Sequence, residues 1–388
     1  MTVRVNKPSF NLREKLSELT SKFGLKGTEL ARAETVQDAR NLISAGRRNI
    51  FINGAMNVDQ RNNGASMNAT TAAEYSLDRW KTVSTASDKW SVKRVSRADT
   101  TPPEGFTHSM KITSLAATTV GTADYYLLQQ RIEGNTLPGF GNSQTPITVS
   151  FWIRSSLTGT YGGSWQNTGH VQYYPFQFTI NNPNTWEYKT ITIPGSGNNY
   201  IDGNTRSAIF TISLGVGTGY SEPASGGWTS TVAFGADDSI DFVGTNGATM
   251  YLTGVQAEVG NNATDFEYRS YGEELALCQR YLFRVTGNSS DETALGCGHV
   301  RDTNTIQGYI SLPVTMRDHS QTVTENGMGA ISGGTNTDIS MTSSFDEGVN
   351  CIGLNLDADA GSPFTTGRGA VVRLTANTGS FFQVESEI

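Results

Sequence analysis

Along the first 46 residues apolar side chains recur with a helical period, and beyond them the period falls to two. In NLREKLSELTSKFG, Leu12, Leu16, Leu19 and Phe23 form one stripe at i, i+4, i+7 and i+11, the spacing of an amphipathic helix. Asn11 is placed to cap it, Glu14 follows three residues on as in a capping box, and Lys22 with Gly24 marks its end. TVQDARNLISAGRR repeats the grammar, with Thr35 as cap, Asp38 in the first turn and Gly46 as stop. Helices this short are marginally stable alone in water, so the stripe has to pack on something. The sequence predicts that it docks on another protein or bundles with copies of itself, the alternative being that it folds back on its own β domain.

From Asn49 onward the alternation is that of strands. PITVSFWIRSS sets Ile147, Val149, Phe151 and Ile153 against Thr148, Ser150, Trp152 and Arg154, the pattern of a half-buried antiparallel strand. SAIFTISLGVG does the same with Ala208, Phe210, Ile212 and Leu214, and YKTITIPGSGN and ATMYLTGVQAEVG add two more. Loops separate these strands where helices would be needed for parallel βαβ units, so the fold read from the pattern is mainly β, a jelly-roll β-sandwich. The stretch LTGVQAEVGNNATDFEYRSYGEELALCQRY (252–281) closes the run. It reads as a last strand on which Tyr251, Thr253 and Val255 share a face, then a turn, then a short helix opened by Glu273, Glu274 and Leu275. The two acids suit the positive end of the helix dipole, and Arg280 stands near the other end. Trp152 is, on the pattern alone, either a second-layer core residue or an exposed platform.

After the connector, TIQGYISLPVT, CIGLNLDAD, AVVRLTAN and SFFQVESEI are short strands mixed with Gly, Thr and Ser. Their apolar content is thin for a large independent core, which fits burial between subunits or a small self-contained sandwich. The expected organisation is a helical segment over residues 1–46, a jelly roll over 47–269, a helical connector over 270–285 and a smaller C-terminal β domain over 286–388.

Composition sharpens this picture. The 42 glycines against 11 prolines, in a chain only 17% charged, suit strands joined by tight turns. No stretch approaches the ~20 apolar residues needed to cross a bilayer, and MTVRVNKPSF lacks the apolar core of a signal peptide, so synthesis in a cytoplasm without membrane insertion is expected. Cys278, Cys297 and Cys351 form no CxxC pair, which predicts no disulfide framework and buried or inert thiols. The net charge of −7 is unevenly spread: residues 1–48 hold ten basic and five acidic side chains, a local +5, and the remainder carries −12. A basic tip on an acidic body predicts partners of two kinds. Nucleic acid is not one of them, since the tip's basic residues alternate with acids and lack aromatic or Gly-Lys motifs.

A resemblance then emerges from the residues. NIFINGAMNVDQR, LDRW (77–80), LLQQRIEG (127–134), VSFWIRSSLTGTY and the closing stretch ending in CQRY occur in that order. The series resembles bacteriophage virion appendage proteins of the tail-fibre or head-fibre type, whose central domain is similar to a carbohydrate-binding-module jelly roll. Ala257 in VQAE departs from that pattern, which has a bulky aliphatic there. The resemblance implies that residues 1–46, through Leu12, Leu16, Leu19 and Phe23, anchor the chain to other virion proteins of the tail or the capsid. It further implies location in the virion, host attachment through a cell-surface glycan or protein, and a homotrimer meeting at the C-terminal domain. A tail fibre or spike and a capsid-decorating head fibre are both compatible with it.

Candidate chemistry is sparse. HExxH, GxSxG and P-loop motifs are missing, GVGTG (215–219) follows a strand pattern without a helix after it, and the four histidines are scattered. No cofactor is expected. A structural calcium is suggested by GADDSIDF, with Asp237, Asp238 and Asp241, while LDADAG has Arg368 where an EF-hand loop needs Glu. A polysaccharide depolymerase would need two carboxylates a few ångströms apart, and the chain lacks the long repeat of a β-helix, so an enzyme is not expected. Binding of sugar without hydrolysis fits better: Tyr161, Trp165, Tyr173 and Tyr174 in GTYGGSWQNTGHVQYYPF, and Trp228 in SGGWTS, read as ring-bearing loops, the alternative being rings that cover the sandwich edges or lie in a trimer interface.

Overall fold

The computed structural model describes residues 48–137 and 144–388. The stripe of Leu12, Leu16, Leu19 and Phe23, and the anchoring role expected of it, lies outside them. Thirteen strands precede a helix in the described chain: β1 (Met67–Asn68), β2 (Trp80–Ser84), β3 (Trp90–Ser96), β4 (His108–Ser114), β5 (Tyr125–Glu133), β6 (Ile147–Ser155), β7 (Gly159–Asn167), β8 (Gln172–Ile180), β9 (Glu187–Ile193), β10 (Arg206–Val216), β11 (Ser221–Glu222), β12 (Gly235–Ala236) and β13 (Thr249–Val259). Eleven of them build a jelly-roll β-sandwich of a six-stranded sheet, β1-β3-β4-β13-β6-β9, facing a five-stranded sheet, β2-β5-β10-β7-β8, and β11 pairs with β12.

The alternating apolar positions explain why the layers meet. Ile147, Val149, Phe151 and Ile153 of β6 and Ala208, Phe210, Ile212 and Leu214 of β10 all point into one core and are fully or almost fully buried. Phe51 sits at its centre, with ring centroids 5.2 Å from Phe210, 6.2 Å from Trp165 and 6.4 Å from Trp80. It comes from a segment with no sheet partner, so the backbone there needs other hydrogen bonds. Two buried asparagines supply them. Asn49 Oδ1 accepts from the amides of Phe51 and Ala257, while Asn53 accepts from the Val58 amide and donates to the carbonyls of Val58 and Asp78. The NIFINGAMN stretch is thus a plug held by its own asparagines together with Gln130, Glu274, Arg269 and backbone bonds to β13.

One expectation about the closing strand is corrected. Tyr251 and Thr253 do point the same way, but Val255 turns into the core. A bulge between Thr253 and Gln256 shifts the register against β6, and Gly254 there has φ +61°, a conformation open to glycine. A Cβ on Gly254 would come within 2.6 Å of the Phe106 ring. The bulge also places Ala257 in the core against the Asn49 plug.

The helix α1 (Tyr271–Gln279) follows, opened by a full capping box between Ser270 and Glu273. It therefore begins two residues before the expected acids. Arg280 caps its end with the backbone, but its guanidinium turns away and pairs with Glu133 of β5 (2.5 and 3.1 Å). Beyond it lie β14 (Leu282–Thr286), β15 (Thr293–Val300), β16 (Thr305–Ser311), β17 (Thr322–Asn326), β18 (Met328–Ser332), β19 (Thr335–Glu347), β20 (Cys351–Ala358), β21 (Gly369–Leu374) and β22 (Phe381–Glu385). Six of these close into a barrel, β15-β16-β20-β19-β18-β21, and β14-β22-β17 form a small sheet beside it. The thin apolar content suffices because the barrel folds its inward row, including Ile306, Leu354, Leu356 and Val372, around its own axis.

Charged side chains join the two bodies. Arg61 pairs with Glu385 (3.1 Å) and Glu387 (3.0 Å), Arg79 pairs with Glu387, and the Arg79 guanidinium lies 3.5 Å above the Tyr281 ring. Arg317 bonds the carbonyls of Ser386 (2.7 Å) and Asn204 (2.8 Å). Burial alone would push the Glu133 carboxyl up, but hydrogen bonds from Arg280 and Tyr281 outweigh it and hold it below the ordinary value of 4.5. A depressed carboxyl stabilises the folded joint above its unfolded pKa, and that contribution is lost as pH falls through the folded one. Acidification below about pH 4.5 is therefore expected to loosen the joint, seen as growing proteolysis between 280 and 290. Glu133→Gln should already show the looser joint at neutral pH and respond less to acid.

Candidate functional site

The aromatics expected in loops are for the most part not there. Tyr161 and Trp165 lie on β7 and are wholly buried, and Tyr173 on β8 is buried as well. Tyr161 stacks on Phe178 at 5.6 Å and gives its hydroxyl to a bond with Ser155, and the Trp165 indole donates to Tyr200 (3.0 Å). The reason is the glycines beside them. In GTYGGSWQN a Cβ on Gly163 would reach 2.5 Å from the Phe176 ring and 2.2 Å from the Thr211 carbonyl, so these glycines mark a strand under close packing and not a loop. Tyr174 and Trp228 do come together, with centroids 5.6 Å apart, but both are half-buried against the core and the Trp228 indole is tied to the Pro194 carbonyl. Of the five rings, none is a free platform.

A pair of solvent-facing rings lies on the outer face of the six-stranded sheet. Because Phe151 and Ile153 point inward, Trp152 and Arg154 must point outward. Register sets Tyr188 of β9 opposite Trp152, with ring centroids 5.2 Å apart. Tyr188 is 43% exposed and Trp152 is half-buried, so together they present an aromatic surface to solvent. One step along, Arg154 lies opposite Tyr251 of β13, with its guanidinium 5.1 Å from that ring. Arg154 is held still by the Asn184 carbonyl (2.7 Å) and the Thr100 hydroxyl (2.8 Å). Trp186 closes this end, its indole donating to the Thr101 carbonyl (2.9 Å) and its ring edge-on to Tyr251 at 6.3 Å. Burial raises the Tyr188 phenol above its ordinary value, so it stays a neutral donor at physiological pH.

Such a surface can hold a sugar. The C–H face of a pyranose carries slight positive charge and meets the negative face of an aromatic ring, while ring hydroxyls need donors and acceptors at its edge. Tyr188 Oη, Thr190 and Thr192 on β9 and the Arg154 guanidinium provide those groups on one rigid sheet.

The other candidates fare differently. Glu222, Asp237, Asp238 and Asp241 line a cleft of about 630 Å³ beside β10, where Asp237 accepts from Ser221 (2.5 Å) and burial raises the Asp241 carboxyl. Among the described residues, no three Asp, Glu, His or Cys side chains converge, so Asp237, Asp238 and Asp241, suggested for a structural calcium, do not gather into one carboxylate cluster. All three cysteines are free: Cys278 is buried, Cys351 half-buried and Cys297 exposed.

No family model matches the sequence, and no curated protein does. Solved structures do show likeness. The enzymatically active domain of tailspike protein 4 of bacteriophage CBA120 is 12% identical over 54% of this chain, with a TM-score of 0.30, and the match spans only 21% of that chain. The carbohydrate-binding module TmCBM61, solved with β-1,4-galactotriose, is 9% identical over 55% of this chain and 99% of its own, with a TM-score of 0.29. The N-terminal cellulose-binding domain of Cellulomonas fimi β-1,4-glucanase C is 12% identical over 40% of this chain and 80% of its own, with a TM-score of 0.24.

Proposed function

We propose that this chain is a glycan-binding structural part of a bacteriophage particle, a tail fibre or spike that meets the host surface through its β domains. The observation that carries the glycan reading is the solvent-facing Trp152–Tyr188 pair on a rigid sheet, edged by hydroxyls and a fixed guanidinium. Binding without cleavage is supported by the same face: Glu258, a carboxylate that shares it with Tyr188, is buried and bonded by Gln256 and Thr264, whereas glycoside hydrolysis uses two carboxyl groups free to meet the sugar. The virion setting rests on the sequence resemblance, with residues 1–46 as the anchor and a capsid-decorating fibre as the alternative position.

A homotrimer through the C-terminal barrel belongs to this reading. Register lines up Ile331, Val371, Cys297 and Tyr309 in one outward row around the barrel, and Phe345 packs edge-on to Tyr309 at 5.5 Å. Ile331, Val371, Tyr309 and Phe345 are each exposed by more than a third. An apolar row of that kind is suited to burial against another copy.

One experiment addresses these parts together. Full-length protein is sized by light scattering and then added to host bacteria before challenge with free phage. A threefold mass and slower adsorption are expected. A monomer removes the trimer, and unimpeded adsorption by protein of the expected mass moves the chain to a decorating role.

A further inference from the structure

On the glycan reading just given, the outer face also specifies what kind of glycan. Four strands that are far apart in sequence bring Lys93 of β3, Lys111 of β4, Tyr251 of β13 and Arg154 of β6 into one row, each directly opposite the next. Lys93 and Lys111 are two of only five lysines in residues 48–388, yet they face each other across a strand pair. Like charges so placed repel and destabilise a sheet. Among the described residues, none of the three cations has an acidic partner within salt-bridge distance, in a body whose net charge is strongly negative. Lys111 and Arg154 both lean on the Tyr251 ring, at 5.7 and 5.1 Å, which fixes their direction without neutralising them.

A sheet that tolerates this repulsion has a use for uncompensated positive charge. We infer that the face binds an acidic polysaccharide. Sugar rings stack on Trp152 and Tyr188, and carboxylate or other anionic groups of the same polymer are met by Arg154, Lys111 and Lys93. The row lies beside the aromatic pair, one outward position along the strands from it, so charge and stacking act on neighbouring parts of one polymer. Arg154, already clamped by Asn184 and Thr100, has one guanidinium nitrogen without a bond in the structure, which suits it to close contact with an anion. The two lysines act at longer range as a rim.

The test measures binding of the full chain to polygalacturonate, alginate and hyaluronan, and to the carboxyl-reduced, neutral form of each. At least one acidic polymer is expected to bind roughly tenfold more tightly than its reduced form at low salt, and that preference should shrink as salt approaches ~0.5 M. Lys111→Gln and Lys93→Gln should each cut the ratio of acidic to neutral affinity roughly fivefold, consistent with an exposed charge contact. Both variants should melt no lower than the parent, because each relieves the facing charges, which separates lost binding from lost fold. Equal affinity for acidic and reduced polymers, with both lost in Trp152→Ala, would overturn the acidic specificity and leave glycan binding standing. Binding to none of the six polymers would remove both.

Discussion

Truncation of Trp152 to alanine is expected to cost roughly thirtyfold or more in affinity for the acidic polysaccharide proposed as ligand, about 2 kcal/mol, while the protein stays folded. The side chain points away from the core that Phe151 and Ile153 fill, so its loss exposes Tyr188 and Arg154 but opens no cavity between the sheets. Tyr188→Ala should have a smaller effect in the same direction, since Tyr188 supplies the outer half of the platform. The matching change at Trp165 should behave in the opposite way. That ring is wholly buried against Phe51, and Trp165→Ala would destabilise by about 3–5 kcal/mol with no specific loss of binding in whatever protein still folds. Calorimetric titration together with thermal melting separates the two cases. Equal binding by Trp152→Ala and its parent would mean that this face is not the site.

The second large effect lies at the joint. Arg79 is 1% exposed, pairs with Glu387, donates to the Arg131 carbonyl and covers the Tyr281 ring. Arg79→Met should destabilise the chain by about 3 kcal/mol in urea unfolding, because it leaves the Glu387 carboxylate buried with Arg61 as its remaining partner. Adding Glu387→Leu to Arg79→Met should recover part of that loss, since removing both charges removes the desolvation cost that a single removal exposes. A loss below about 1 kcal/mol for the single change would show that Arg79 does not secure the joint.

These expectations show which parts of the molecule were legible in the chain. The inward positions of β6 and β10 were readable because alternation in a half-buried strand is a local property, and Trp152 was readable as outward-facing for the same reason. What covers an outward residue is not local. Nothing near Trp152 in sequence says that β9 sets Tyr188 beside it. Tyr161, Trp165 and Tyr173 read as loop residues because glycine commonly marks a loop, whereas Gly162 and Gly163 make room for Ser239 and the Phe176 ring against a strand. Val255 was misplaced by a bulge, which inverts a strand's faces from one residue onward, and Gly254 was its available signal. The row of Lys93, Lys111, Tyr251 and Arg154 is the least legible feature, because β13 enters the sheet between β4 and β6 long after both in the chain. The self-contained C-terminal core is hard to read in the sequence because a closed barrel shields its interior with few side chains.

The most direct test of the account is amide hydrogen exchange of the full chain with and without saturating surface polysaccharide. Slowed exchange confined to Ile147–Ser155, Glu187–Ile193 and the facing part of Thr249–Val259 is the predicted result. Protection instead around Trp228, around the Tyr309–Phe345 pair of the barrel, or nowhere, would contradict it.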